Sequence, residues 1–260
     1  MKLEKLKEER KKNKVVLLLS ESDEVFANTI RRMIIEEVPT LAVEDLEFKD
    51  NSSALYDEMI GLRLGLTPIK TDLKSYVFKE KCKCEGAGCA QCELKITLKA
   101  GKKGYVYAEE AESEDPKCTF VYPKMPMVKL LSRQRLDVTM TATLGRGREH
   151  AKWSPGWAYY KKEPLLSVGA GKVQDPEKVA ENCPDGVFEL EGKKLKVNQD
   201  QVYESNLLEY YAELDKGISL AYTDNLIFSV ESWGQLSWKE LLLTSGELLE
   251  QKAEELEKQL

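Results

Sequence analysis

Val15-Val-Leu-Leu-Leu-Ser-Glu-Ser-Asp-Glu-Val-Phe-Ala-Asn-Thr-Ile-Arg-Arg-Met-Ile-Ile-Glu-Glu-Val-Pro39 holds one strand and one helix. Val15–Leu19 is an unbroken apolar run and reads as a buried strand. Ser22-Asp23-Glu24 supplies an N-cap and an acidic first turn, both favourable where backbone N–H groups lack partners. Phe26, Ile30, Met33, Ile34 and Val38 then recur at helical spacing, with Arg31, Arg32, Glu36 and Glu37 elsewhere on the wheel. Pro39 stops the helix at Val38, because proline disfavours helical backbone in the residue before it. Ala42-Val-Glu-Asp-Leu-Glu-Phe48 alternates as a strand does.

The far end repeats this order. Leu226-Ile-Phe-Ser-Val230 reads as a strand, and Ser237-Trp-Lys-Glu240 is a capping box. Leu242, Leu249, Ala253, Leu256 and Leu260 continue at threes and fours. Gly246 costs such a helix about 1 kcal/mol relative to alanine, so packing must hold it. Its leucine stripe serves either the chain's own core or a partner helix. No internal repeat is visible between the two ends, and the middle is read as inserted into a domain that they form together.

Residues 49–164 are strand-rich. Leu94, Ile96 and Leu98 alternate with lysines and a threonine, and Val138, Met140, Ala142 and Leu144 alternate with threonines. Residues 165–214 change character. Asp175-Pro176 starts a short helix, Val187–Leu190 and Lys194–Val197 form a small hairpin, and a second helix occupies Asn198–Leu214. The fold class is therefore α+β.

Cys82-Lys-Cys84 and Cys89-Ala-Gln-Cys92 are joined by Glu85-Gly-Ala-Gly88. Two thiol pairs on a glycine turn can converge on one tetrahedral zinc, with Gly86 and Gly88 free to adopt positive φ. Lys79, Lys81 and Lys83 would offset the charge of the tetrathiolate. Four thiolates leave no open coordination position, so the zinc is structural rather than catalytic. Disulfides and an iron centre are the competing readings.

The composition narrows the function. With 260 residues, 42% hydrophobic and 32% charged, the chain supports a real core. Its net charge of −6 makes it no overall clamp for nucleic acid. The start shows no apolar core of signal-peptide type, no run is long enough to span a membrane, and the expected location is cytoplasmic. His150 is the sole histidine, which argues against a Ser-His-Asp hydrolase. It reads as a structural or interface residue. Gly145-Arg-Gly147 is a poor phosphate cradle, because Trp153, Pro155, Trp157 and Tyr159 oppose a helix start there. Arg146, Arg148 and Lys152 form a small basic cluster. Cys118 and Cys183 read as core thiols.

Three segments together resemble the D subunit of archaeal RNA polymerase, a relative of the third-largest eukaryotic polymerase II subunit and the bacterial α N-terminal domain. They are Asn28-Thr-Ile-Arg-Arg32 with Glu37-Val-Pro-Thr40, Tyr56–Ile60 with Arg63–Pro68, and Leu144-Gly-Arg-Gly-Arg-Glu-His-Ala-Lys-Trp-Ser-Pro155. Phe228-Ser-Val-Glu231 with the terminal helix adds a weaker match. The resemblance implies a dimerisation domain from 1–48 and 215–260, an inserted domain over 49–164 that carries the zinc loop, and a small ferredoxin-like subdomain over 165–214. It implies a non-catalytic subunit that is part of an enzyme only within the complex. Pairing would be with the small subunit L, joined by subunits N and P and the two large catalytic subunits, with nucleic acid reached only through the assembled polymerase. The partner-binding residues it implies are Phe26, Ile30, Arg31, Arg32, Met33, Ile34, Leu242, Leu249, Ala253 and Leu256, together with Arg146, Arg148, His150, Lys152 and Trp153. Some relatives hold iron–sulfur clusters in the ferredoxin-like region. Here Cys183 stands without the companion cysteines expected near Asn198–Asn206, so no cluster is expected. A stand-alone zinc-ribbon nucleic-acid binder and a ferredoxin-type redox protein are the rival readings.

Overall fold

The structure is a computed structural model and describes residues 1–169, 173–192 and 194–260. The alternation of Leu94, Ile96 and Leu98 decides the larger core. On β4 (Glu93–Ala100) these side chains face Ala142, Met140 and Val138 of β8 (Leu136–Gly145) in an antiparallel ladder. β3 (Thr40–Asn51) covers the other edge of β8, and β6 (Ala111–Ser113) covers β4, giving the order β3-β8-β4-β6. A separate ribbon pairs β5 (Gly104–Tyr107) with β7 (Pro126–Leu130). α2 (Asp57–Gly65) buries Ile60 and Leu64 in the same core. Each fully buried aliphatic side chain there contributes about 1.5–3 kcal/mol.

The chain divides into two compact units. The one just described contains Arg10–Lys14, Thr29–Ala158 and Val230–Leu260, with the terminal helix α6 (Trp238–Glu257). The other contains Met1–Glu9, Val15–Asn28 and Tyr159–Ser229. Its four-stranded sheet has the order β1-β2-β12-β9, from β1 (Lys2–Glu9), β2 (Lys14–Ser20), β9 (Gly156–Val168) and β12 (Ile218–Ser232). α3 (Pro176–Glu181), the hairpin β10–β11 (Phe188–Glu191 and Lys194–Val197) and two short helices build its core. Val179, Val187, Phe188, Val202 and Tyr211 are its centre. The unit boundaries group 230–260 with 29–158, a division different from the three domains expected from the sequence.

Several elements differ in detail from expectation. The first helix is capped by Asp23, whose Oδ1 accepts from the Phe26 N–H at 2.7 Å. α1 (Glu24–Arg32) then widens into a π-helical segment, Met33–Glu37, closed by a 3.1 Å bond from the Val38 N–H to the Met33 carbonyl. The single helix expected over 198–214 is two, α4 (Gln199–Glu204) and α5 (Leu208–Glu213). They separate at Ser205, whose backbone is extended and whose hydroxyl donates to Asp185 at 2.8 Å. β1 was not evident in the sequence because its two leucines, Leu3 and Leu6, fall on opposite faces of the strand and leave neither face apolar.

Candidate metal centre and assembly surface

The cysteine loop precedes β4 directly. Glu85 N–H donates to the Cys82 carbonyl and Ala87 N–H to the Cys84 carbonyl, each at 3.0 Å, while Cys92 N–H closes a turn onto the Cys89 carbonyl at 3.0 Å. Three tight turns therefore bring the four cysteine side chains together. Gly86 and Gly88 hold φ of 83° and 89°, and a Cβ on Gly88 would run into the Glu93 carboxylate. All four Sγ atoms lie within 4.8 Å of one another, and three of the separations are 3.5, 3.6 and 3.9 Å. A tetrahedron with Zn–S bonds near 2.3 Å requires S···S of about 3.8 Å. The set could therefore hold one metal ion with little rearrangement, and all four cysteines are free of disulfides.

The thiols share their protons unequally. Hydrogen bonding with Cys82 draws Cys84 down to about 6, and burial pushes Cys92 up to about 12. A divalent cation among them would replace those protons. Lys79, one of the three lysines expected to balance the charge, is bound to Glu93 at 2.7 Å.

The segment after β8 is shaped by close approach, not by a phosphate. A Cβ on Gly147 would collide with the Ile35 carbonyl oxygen, and one on Gly145 with the Trp153 ring. Arg148 N–H donates to the Glu36 carbonyl at 3.1 Å, so this loop is laced to the π-helical segment. Trp153 is buried, with its indole N–H donating to the Thr143 carbonyl at 3.1 Å. Lys152 lies over the Trp153 ring, 4.4 Å from the centroid, and pairs with Glu44. His150 caps a short turn: its Nδ1 accepts from the Lys152 N–H at 3.1 Å.

Glu37 is a hub that the sequence does not single out. It pairs with Lys252 at 2.9 Å, Arg148 at 3.1 Å and Arg146 at 3.9 Å. Burial works to raise its carboxyl, but the Lys252 hydrogen bond and the three positive charges outweigh it and hold the group below the usual glutamate range. Arg146 also lies 4.6 Å over the Phe78 ring, immediately before the cysteine loop. One line of contacts thus runs from that loop through Arg146 and Glu37 to α6. Glu37 opens the segment Glu37-Val-Pro-Thr40, but nothing local in the sequence ties it to Lys252.

The remaining expected partner residues fall into three groups. Met33, Ile34 and Trp153 are buried within the chain. Phe26, Ile30, Arg31, Leu242 and Leu249 are half-buried, and Arg32, Ala253 and Leu256 are exposed. On α6 the fully buried positions are Leu241 and Ser245, and every residue after Glu250 is exposed. Leu243 and Leu256 are 67% and 59% exposed. The helix is therefore used by the core along its first half, and it offers apolar side chains to solvent along its second.

Residues 46–156 match the family model described as the RNA polymerase Rpb3/RpoA insert domain. The whole chain is similar to the DNA-directed RNA polymerase subunit Rpo3 of Methanosarcina acetivorans, at 34% identity over 244 residues covering 92% of this chain and 91% of that one. The Rpo3 subunit of Archaeoglobus fulgidus is 34% identical over 256 residues, 96% and 95% of the two chains. That of Pyrococcus furiosus is 32% identical over 248 residues, 95% and 92%.

Proposed function

The chain belongs to the Rpo3 family of DNA-directed RNA polymerase subunits, and from that premise we propose how its ends and its cysteine loop serve the enzyme. It is a non-catalytic assembly subunit and functions only within the polymerase complex. In our reading it fills the position of the archaeal D subunit. Residues 1–48 and 215–260 make a dimerisation domain that pairs with the small subunit L. Residues 49–164 form the insert, and 165–214 a ferredoxin-like subdomain in which Cys183 remains as a packed thiol. Subunits N and P and the two large subunits then dock on this pair, partly through Arg31, Arg32, Arg146 and Arg148. Zinc at Cys82, Cys84, Cys89 and Cys92 orders the loop of the insert.

The observation that carries the assembly reading is the distal half of α6. Ala253 and Leu256 are exposed, while Lys252 on the same stretch is fixed to Glu37. A helix held in place with apolar side chains in water is suited to a partner helix, and obligate interfaces resemble a core cut in half. Leu256 makes no contribution to the chain's own core, so Leu256→Asp leaves the fold intact and places an unpaired carboxylate in the interface. Co-expression with the small partner subunit and pull-down is expected to show loss of the pair for Leu256→Asp and retention for Glu254→Gln. Circular dichroism checks that both variants are folded. A folded Leu256→Asp chain that still holds the partner sinks the reading.

A further inference from the structure

One end of the insert carries a charge opposite to that of the chain. Lys99-Ala-Gly-Lys-Lys-Gly-Tyr-Val-Tyr107 and Lys124-Met-Pro-Met-Val-Lys-Leu-Leu-Ser-Arg-Gln-Arg-Leu136 contain no acidic residue, in a protein of net charge −6. Strand register brings the two segments together. Ala100 pairs with Leu136 and Gly104 with Leu130, so the turns 101–103 and 131–135 lie side by side, and Gly101 abuts the Arg135 side chain. Tyr105 faces Lys129, whose Nζ lies 5.1 Å from the ring centroid. Lys102, Lys103, Lys129, Arg133, Arg135 and Tyr105 are all exposed. Among the described residues none of these five cations is in an ion pair. The nearest acids by register are Asp137, engaged by Lys99 at 3.6 Å, and Asp50 beside it. Glu110 sits at the other end of the ribbon, accepting from the Tyr107 N–H.

We propose that this end of the insert, the five cations grouped around Tyr105, binds the phosphate backbone of nucleic acid. Clustered cations gain affinity by releasing counterions from phosphates and need no apolar anchor. A protein partner would want a cluster of aromatic or aliphatic anchors at the centre of its site, and among the described residues of these two segments the exposed large hydrophobic side chains are two, Tyr105 and Leu131, set among the five cations.

The test is fluorescence anisotropy with the full chain and a labelled random-sequence duplex, repeated with the single strand, from about 50 to 200 mM salt. Each phosphate contact contributes about −0.9 to the salt slope. The combined variant Lys102→Glu, Lys103→Glu, Arg133→Glu and Arg135→Glu is expected to lose about 3–4 units of slope and at least about tenfold in affinity at the lowest salt. Tyr105→Ala is expected to weaken the single strand more than the duplex, since stacking needs an open base. A control carrying the same charge change at Lys2, Lys5, Lys194 and Lys216 is expected to keep the wild-type slope. Equal weakening by patch and control variants, or no binding by the wild type at about 50 mM salt, overturns the proposal. Polyglutamate competing as well as DNA per unit charge assigns the patch to an acidic protein segment and also overturns it. Binding at this patch by a chain that captures no polymerase subunit would sustain this inference and sink the assembly reading.

Discussion

Glu37 gathers three cations, yet its energetic role is modest because Lys252 and Arg148 are about half exposed. Water screens them, so the carboxylate contributes on the order of 1 kcal/mol rather than the several of a dry ion pair. Its acidity is lowered in the folded state. The stability it supplies is therefore complete above the ordinary glutamate range and is lost as pH falls through the lower folded value. Thermal unfolding of wild type and Glu37→Gln is expected to differ at pH 7 and to converge in acid; parallel curves at all pH values would show that the carboxylate's charge plays no role. Two glycines make a sharper contrast. Gly147→Ala drives a methyl into the Ile35 carbonyl, with an expected loss of about 1–3 kcal/mol. Gly246→Ala meets nothing within 4 Å and is expected to stabilise α6 by up to about 1 kcal/mol. Melting temperatures of the two variants should move in opposite directions.

Elements differ in how openly the sequence declares them. β4 and β8 were readable because one face of each is buried and the other wet, and the α6 start because Ser237 and Glu240 cap each other locally. The cysteine loop was readable because its spacing alone forces convergence. The π-helical segment was not, since Met33-Ile-Ile-Glu-Glu37 satisfies the ordinary helical period, and only tertiary contact with the glycine loop and α6 distinguishes the wider turn. The break at Ser205 was hidden for a similar reason: its partner Asp185 lies in the turn between α3 and β10. The loop from Lys79 to Cys92 has little apolar content of its own, so metal should supply much of its order. Protein grown with zinc is expected to carry close to one ion per chain, measured by elemental analysis. Cys89→Ser with Cys92→Ser should lose it and expose the loop to protease, while the β4–β8 ladder stays protected from hydrogen exchange. Metal-free protein with an ordered loop would refute this.

At the scale of the whole molecule, the core around Leu41, Ile96 and Leu144 is closed by residues that run almost continuously through the chain, whereas the other unit draws on Met1–Glu9, Val15–Asn28 and Tyr159–Ser229. This interleaving sets an order of events on the ribosome. Domains fold as they emerge, so the sheet that carries the cysteine loop can close while the early strands β1 and β2 still wait for β9 and β12. Nascent chains stalled after residue 158 has cleared the exit tunnel are expected to resist protease over 41–144 and to remain sensitive over 1–28. α6 is made after all of these, so on the proposed assembly reading a partner recruited through its apolar side chains would meet a chain whose other elements have already emerged. On that reading recruitment would be a late checkpoint, since Lys252 reaches Glu37 only once α6 has been made.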